Sequence, residues 1–263
     1  MQSAARSARS KALRALCLQF SVRREPFFSH VRFRHEELDP KKYPLSVPAV
    51  REIDKIRFHP AVTILAGENG SGKSTLLEAL AVAAGFNAEG GRKSFSTPQE
   101  STDLSLADAI TLARNPNREQ DGFFLRAEST YVLMNYINMI ERENPPIYGN
   151  LHLRSHGESF FDLFQIRFST TRNALFILDE IESALSPQRQ LEFLALMHWH
   201  VGRGSSFIVS THSPILMSYP QSRLYWLDKE GIRERDWRET DHFLVYQAFT
   251  HCPEVVLKNL LLE

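Results

Sequence analysis

Residues 67–74, GENGSGKS, are the part of the sequence best suited to chemistry, because they fit the pattern G-x-x-x-x-G-K-[ST] at every fixed position. Glycines let the backbone curl until successive N–H groups point at phosphate oxygens, and the N-terminus of a following helix adds a positive dipole end. Lys73 is then expected to reach the β and γ phosphates of a bound nucleotide, and the Ser74 hydroxyl to ligate Mg²⁺. A chance glycine turn is the alternative, but the apolar segment before the loop and the helical pattern after it meet the required context. The predicted nucleotide-binding residues of this loop are Gly67, Glu68, Asn69, Gly70, Ser71, Gly72, Lys73, Ser74 and Thr75.

Two acids follow an apolar run in residues 175–187, LFILDEIESALSP. The carboxyl end of a buried parallel strand is where open α/β sheets bind their ligands, so Asp179 is predicted to hold Mg²⁺ through a water. Glu180 projects differently and is predicted to take a proton from the attacking water. A strand that ends in a solvated acidic turn is the alternative, and the presence of the phosphate loop argues against it.

His212 follows another apolar run, in residues 207–214, FIVSTHSP. An imidazole at this end of a strand is predicted to contact the γ-phosphate and to sense its loss. Lone histidines are usually structural, and this chain has ten. The position beside the predicted site is what distinguishes His212 from the others.

A fourth segment, residues 151–161, reads LHLRSHGESFF. Ser155, Gly157 and Glu158 precede its aromatic, amphipathic part, so they are predicted to present a hydroxyl and backbone N–H groups to a phosphate at a helix N-terminus. A simple helix start capped by serine explains the string equally well.

The elements that must position these residues alternate between strands and helices. Strands are predicted over residues 27–33, 56–66, 122–125, 174–178, 207–210 and 223–227. Helices are predicted from Ser74 to a stop at Gly85, over residues 128–143, from Pro187 behind Ser186 as N-cap, and from Asp241 onward. This alternation favours an α/β domain, with helices flanking a mainly parallel sheet.

Residues 86–122 are rich in Gly, Ser, Thr, Pro and Asn, a composition typical of a loop-dominated insertion. One short helix is predicted within it, over residues 104–114. Residues 86–170 together are predicted to contribute this insertion and a small, partly helical lobe that carries the SHGES segment.

Composition and charge limit the classes of partner. The 263 residues are 43% apolar and carry 31 basic and 31 acidic side chains, so nucleic acid or anionic lipid would need a local patch to bind. Apolar runs of a few residues fall far short of the about 20 that cross a bilayer, so we expect no membrane insertion. Cys17 and Cys252 match no metal-ligand or disulfide spacing, which suits a reducing compartment, and we predict a cytoplasmic protein.

Residues 1–24 form a basic leader, with six arginines and lysines and no acid. We predict that this leader is disordered. A transit peptide for an organelle has the same composition and is the alternative interpretation.

In their order along the chain, GENGSGKST, RSHGES, ILDEIESALSP and STHSP, the four segments resemble the ABC-type ATPase superfamily, as Walker A, signature, Walker B with D-loop, and switch histidine. More narrowly, the chain is similar to compact stand-alone bacterial AAA-family ATPases, whose signature commonly reads SHGES. The resemblance covers residues 27–258 and implies a P-loop NTPase with an ABC-type ATPase core.

The resemblance also implies an ATP-sandwich dimer. In such a dimer Ser155 and Gly157 of one subunit touch the γ-phosphate bound on the other, and Ser183, Ala184 and Leu185 form a D-loop that crosses the interface. The signature lacks the LSGGQ of transporters. In place of a glutamine loop, Glu128 follows the strand in FFLRAES and is predicted to make the equivalent metal or water contact, with an ordinary surface glutamate as the alternative.

Taken together, the residues and the resemblance predict that residues 25–263 form one ATPase domain. Its homodimer would bind and hydrolyse ATP with Mg²⁺ and so drive a conformational task. One alternative is a nucleotide-gated clamp on DNA or a partner protein with slow hydrolysis, and another is the motor subunit of a transporter with a separate membrane partner. The candidate DNA patch comprises Lys41, Lys42, Arg51, Lys55 and Arg57, for which a solvated face is the other explanation.

Overall fold

The computed structural model of the chain describes residues 25–34, 41, 45–51, 53–88, 90–92, 106–126 and 171–261. The strands in these residues are β1 (Phe28–Phe33), β2 (Lys55–Arg57), β3 (Val62–Gly67), β4 (Gly91–Arg92), β5 (Ile110–Arg114), β6 (Asp121–Arg126), β7 (Ala174–Asp179), β8 (Ser206–Ser210), β9 (Ser222–Asp228) and β10 (Gly231–Glu234). The helices are α1 (Pro48–Arg51), α2 (Lys73–Ala84), α3 (Pro187–Val201), α4 (Pro214–Met217), α5 (Asp241–His251) and α6 (Pro253–Leu261). Short 3₁₀ helices cover Ile181–Ala184 and Trp237–Glu239.

The main sheet of the described chain has seven strands in the order β10-β9-β3-β8-β7-β6-β4. Strands β9, β3, β8, β7 and β6 pair in parallel, while β10 and β4 join antiparallel at the two edges. This confirms the predicted α/β class, with a mainly parallel sheet flanked by helices.

Alternate side chains of the central strands enter two separate cores. In β7, Leu175 and Ile177 pack on the side of α2, whereas Phe176 and Leu178 pack on the side of α3. Successive residues of a strand point to opposite faces, so a strand covered on both faces is apolar throughout. The helices therefore hold both faces of the sheet and leave its carboxyl edge open.

A second, antiparallel sheet has the order β2-β1-β5 within the described residues. The helix predicted over residues 104–114 is wrong: residues 106–109 form a turn, and Ile110–Arg114 is strand β5, paired with β1. The buried side chains of Leu106, Ala109 and Ile110 have a spacing that a helix would share. Pairing with β1 decides between the two structures, because it gives the backbone of this segment a ladder of hydrogen bonds.

The strand predicted over residues 56–66 is divided into β2 and β3. Pro60 lies in the break and has no N–H to donate to a ladder. The chain turns here: the His59 N–H donates to the Thr63 hydroxyl at 2.9 Å, and the Ala61 N–H to Nδ1 of His59 at 3.1 Å.

Helix ends follow the local signals of the sequence. Gly85 closes α2 in the left-handed region at φ 93°, and the Ser186 hydroxyl caps α3 by accepting the Arg189 N–H at 3.4 Å. The tail from Asp241 onward is helical as predicted, in α5 and α6.

The basic leader, the helix predicted over residues 128–143 and most of the lobe lie outside the described residues. None of the helices that the structure describes is long and apolar enough to span a membrane.

Candidate functional site

The glycine-rich loop joins the carboxyl end of β3 to the first turn of α2. Gly67, Gly70 and Gly72 have φ values of 147°, 74° and 92°, a region that side chains disfavour. A Cβ on Gly67 would overlap the carbonyl oxygen of Leu227 on β9, and one on Gly72 would lie 2.7 Å from Cγ2 of Val50. Two positions of the pattern are thus glycine because the loop lies against neighbouring atoms.

Lys73 begins α2, and its side chain folds back over the loop. The residue is 4% exposed, and Nζ donates to the carbonyls of Glu68 at 2.8 Å and Gly67 at 3.2 Å. Burial lowers the pKa of Lys73, and nearby carboxylates oppose that shift. These carboxylates belong to Glu180, Asp179 and Glu182.

Ser74 and Asp179 meet at the floor of the site, although 105 positions separate them. The Ser74 hydroxyl donates to Oδ1 of Asp179 at 3.2 Å. Asp179 is 7% exposed, and burial raises the pKa of its carboxyl, against the opposing effects of the Ser74 hydroxyl and the Arg126 guanidinium. A cation would offset that buried negative charge.

Two of the predicted metal ligands, Ser74 and Asp179, fit Mg²⁺ by their chemistry. A hydroxyl and a carboxylate are hard oxygen donors, and Mg²⁺ usually keeps several waters and takes one or two protein ligands plus phosphates. Among the described residues, no group of three or more His, Cys, Asp and Glu side chains is placed to hold a metal ion. The buried hydroxyl of Ser71 has no hydrogen-bond partner in the described part of the chain, so the loop keeps an unused polar atom for a ligand.

The sheet order explains why these residues converge. Strand β8 lies between β3 and β7, and parallel pairing sets Asp179 opposite Ser210. The Thr211 N–H then donates to the Leu65 carbonyl on β3 at 3.1 Å. The carboxyl ends of three strands therefore bring together the phosphate loop, the two acids and the segment with His212.

Glu180 and His212, the predicted catalytic residues, are in contact. Oε1 of Glu180 lies 3.2 Å from Nε2 of His212, and the Glu180 side chain is 39% exposed. The backbone of Glu180 has φ 46°, in the left-handed region, and its N–H donates to the Ser210 carbonyl at 3.0 Å. Burial lowers the pKa of His212, and the charge of Lys73 lowers it further while Glu180 opposes the shift.

Two further residues of the site escaped the sequence analysis. Oε1 of Glu182 accepts a hydrogen bond from the backbone N–H of His212 at 2.6 Å, and burial raises the pKa of the Glu182 carboxyl. His242, on α5, places Nε2 3.0 Å from Nδ1 of His212. The nearness of Glu182 to the two acids was a signal for it, whereas no local pattern distinguishes His242 from the other histidines.

A buried network joins the segment after the acids to the one that carries His212. The Gln190 amide donates to the Leu185 carbonyl at 2.9 Å and accepts the Ser213 hydroxyl at 2.5 Å. Ser213 in turn caps α4. Both segments are therefore tied to α3.

The other predicted site residues divide into two groups. Glu68, Asn69 and Gly70 are exposed in the loop, and Thr75 is half-buried in the first turn of α2. Ser155, Gly157, Glu158 and Glu128 lie outside the described residues, so their roles stay predictions.

One family model matches the part of the chain around the phosphate loop. Residues 46–144, less than half of the chain, match the AAA domain family, and the match includes the phosphate loop but not Asp179 or His212. No curated protein matches the sequence.

Two similar solved structures are a part of an ABC transporter complex and an SMC head domain. CbiO1 from Clostridium perfringens, part of the ABC transporter complex CbiONQ, is 14% identical, with 87% of this chain and 97% of that chain covered and a TM-score of 0.49. The SMC head domain from Thermotoga maritima is 15% identical, with 80% and 98% covered and a TM-score of 0.46. The loop geometry and the family match support a nucleotide-binding P-loop domain similar to AAA-domain ATPases.

Proposed function

We propose that this chain binds ATP and hydrolyses it in a Mg²⁺-dependent reaction. The observation that carries the proposal is the contact of Ser74 with Asp179, because it joins the phosphate loop to a buried carboxylate at the carboxyl edge of the sheet. Such an edge is the usual ligand site of an open α/β sheet.

The loop residues would hold the phosphates. Lys73 would exchange its two carbonyl acceptors for oxygens of the β and γ phosphates, and the loop N–H groups would donate to the same anion. The Ser71 hydroxyl, buried and without a partner among the described residues, is available as a further donor. Ser74 and Asp179 would hold Mg²⁺, which when bound neutralises charge on the phosphates.

Glu180 and His212 would act on the water and the γ-phosphate. The Glu180 carboxylate is partly exposed, so it could orient a water or take its proton. The His212 imidazole, 3.2 Å from that carboxylate, would donate to a γ-phosphate oxygen. Glu182 supports this arrangement, since it accepts the backbone N–H of His212.

We extend the proposal to an ATP-sandwich dimer, on the resemblance of the four sequence segments. Exposed surface around the site supports it: Glu68, Asn69 and Ser183 are exposed, whereas Leu185 is buried in the core. Of the D-loop candidates, Ser183 is thus the one with most surface to offer a partner.

Two substitutions test the ATPase proposal. Lys73→Ala removes the charge that would meet the phosphates, so ATP binding measured by calorimetry should weaken severely. Glu180→Gln keeps the shape of the side chain and removes the base, so binding should persist while kcat falls by about 100-fold or more.

Lys229→Ala, at an exposed position beyond β9, is the matched control and should keep the parental values. If Lys73→Ala bound ATP as tightly as the parent, the phosphate-loop assignment would be wrong. Parental turnover in Glu180→Gln would remove Glu180 as the base.

A nucleotide-gated clamp on DNA is a second candidate, favoured by the face of the small sheet. The pairs His30 with Arg57 and Arg32 with Lys55 lie side by side across β1 and β2. Residues two apart on a strand share a face, so the three cationic side chains of Arg32, Lys55 and Arg57 point the same way, together with the His30 ring. DNA binding that weakens steeply with salt would separate this function from that of an ATPase without nucleic acid.

A further inference from the structure

The two ring nitrogens of His212 have separate partners. Nε2 lies 3.2 Å from Oε1 of Glu180, and Nδ1 lies 3.0 Å from Nε2 of His242. The rings of His212 and His242 are 5.1 Å apart between centroids. The three side chains thus form one hydrogen-bonded chain, which runs from His242 on helix α5 through His212 to Glu180.

The chemistry of the groups determines which group donates and which accepts in each hydrogen bond of this chain. A carboxylate has only acceptors, so the hydrogen bond to Glu180 requires the proton of His212 on Nε2. Neutral His212 then has a lone pair on Nδ1, and the proton between the two rings must come from Nε2 of His242. Burial lowers the pKa of both histidines, which favours the neutral forms that this order needs.

The surroundings of Nδ1 of His242 agree with donation from His242 to His212 and from His212 to Glu180. If Nε2 carries the proton, Nδ1 of a neutral ring is unprotonated. Nδ1 of His242 is buried and makes no hydrogen bond within the described residues. The reverse order would leave an N–H group buried there with no acceptor in the part of the chain that the structure describes.

The start of helix α5 holds His242 in place. Thr240 is fully buried, and its hydroxyl donates to the Trp237 carbonyl at 2.6 Å and accepts the Phe243 N–H at 3.4 Å as the helix cap. The His242 ring packs edge-on against Trp226, which is 1% exposed, at 5.3 Å between centroids. Cap and packing together fix this side chain although much of α5 is exposed.

We propose that His242 is a positioning residue that holds His212 in its Nε2–H tautomer, with the N–H facing Glu180 and the place of the γ-phosphate. The proposal rests on the proposed ATPase function. His242 acts through His212, because a histidine tautomer is set by the hydrogen bond at the other ring nitrogen. For histidines that ligate a metal, loss of such an outer partner typically costs about 10- to 100-fold in metal affinity or activity, and we expect a loss at the lower end of that range here.

The test combines kinetics with spectra of the full chain. Long-range ¹H–¹⁵N spectra of protein labelled in the histidine rings show which nitrogen carries the proton, and His212→Gln identifies the signals of His212. The parent should show His212 protonated at Nε2 alone. His242→Ala should mix the two tautomers and lower kcat by about 10-fold, with a KM for ATP within about twofold of the parent.

Two substitutions separate the hydrogen bond from packing. His242→Gln retains an N–H that can reach Nδ1 of His212, so it should restore one tautomer and most of kcat. His242→Phe fills the space against Trp226 but has no donor, so it should behave like His242→Ala. His251→Ala, exposed at the other end of α5, is the control and should match the parent.

A single Nε2–H tautomer with parental kcat in His242→Ala would overturn the proposal, as would rescue by His242→Phe and not by His242→Gln. A parent protein without ATPase activity would instead refute the proposed function. The spectra would still show whether His242 sets the tautomer of His212, so the two failures are distinguishable.

Discussion

Burial lowers the pKa of His200, His212 and His242, but these three side chains lie in different surroundings. His212 and His242 are half-buried, face each other and belong to the candidate site. His200 is fully buried on α3, with its ring 5.2 Å from that of Phe176 and 4.8 Å from that of Trp199. The neutral ring of His200 packs in the core, whereas the neutral rings of His212 and His242 take part in the proposed hydrogen-bonded chain at the site.

The burial of His200 predicts that the free energy of unfolding decreases in acid. Burial lowers its pKa from 6.5 to about 4, so between these values the unfolded chain binds the proton more readily than the folded chain. Stability is therefore complete above about pH 6.5 and falls as the pH drops to about 4, by on the order of 3 kcal/mol. Urea unfolding of the parent and of His200→Leu across this range measures the effect.

The His200→Leu variant should lose less stability between pH 6.5 and pH 4 than the parent. His251→Gln, at an exposed histidine, should follow the parent curve. Parallel curves for the parent and His200→Leu would mean that His200 is not the group responsible.

At the scale of elements, the small sheet has one basic face. Burial lowers the pKa of His30, and the charges of Lys55, Arg32 and Arg57 lower it further, as expected for neighbours across the β1–β2 ladder. The alternating residues Val31 and Ile56 face the core instead. Arg51 and Lys41, also in the predicted patch, are exposed, while Lys42 lies outside the described residues.

If this face binds a DNA backbone, Arg32→Glu combined with Arg57→Glu should weaken binding at all sequences. Each lost phosphate contact reduces the slope of affinity against salt by about 1 on a log–log plot, so a reduction of about 2 is expected. Fluorescence anisotropy with duplex DNA at several salt concentrations measures both effects. Lys258→Glu on α6 is the control, and equal slopes in all three proteins would leave the basic face as a solvated surface.

At the scale of the whole molecule, the helices cover the faces of the sheet and leave the site at an edge. Glu180, Glu68 and Ser183 all have exposed surface at that edge, so a second subunit could approach the nucleotide. In the proposed dimer the SHGES segment of that subunit would supply the remaining contacts. Hydrolysis would then separate the subunits, because the γ-phosphate joins them.

The dimer is best tested with hydrolysis blocked. Glu180→Gln with ATP and Mg²⁺ should sediment at twice the protomer mass of 30.2 kDa, whereas the parent should form that species only briefly. Ser155→Arg added to Glu180→Gln should abolish the shift, because a bulky side chain would meet the opposing phosphate. A Glu180→Gln protein that binds ATP and stays at the protomer mass would refute the sandwich dimer.

Much of the candidate site could be predicted from the sequence because its signals are local. The glycines and Lys73 lie within one short segment, strand β7 is apolar up to its last residue, Asp179, and Ser186 with Pro187 starts α3. Residues a few positions apart determine such features, so a short segment is enough to recognise them.

Tertiary contacts determined the features of the fold and of the site that no local pattern of the sequence shows. Residues 110–114, for which a helix was predicted, form strand β5 because they pair with β1. The order of strands brought Ser74 to Asp179 across 105 positions, and the fold of the C-terminal helices brought His242 to His212 across 30. The sequence alone determined which residue types could do the chemistry, whereas only the packing of distant elements determined which of them meet, because nothing local encodes a contact between remote segments.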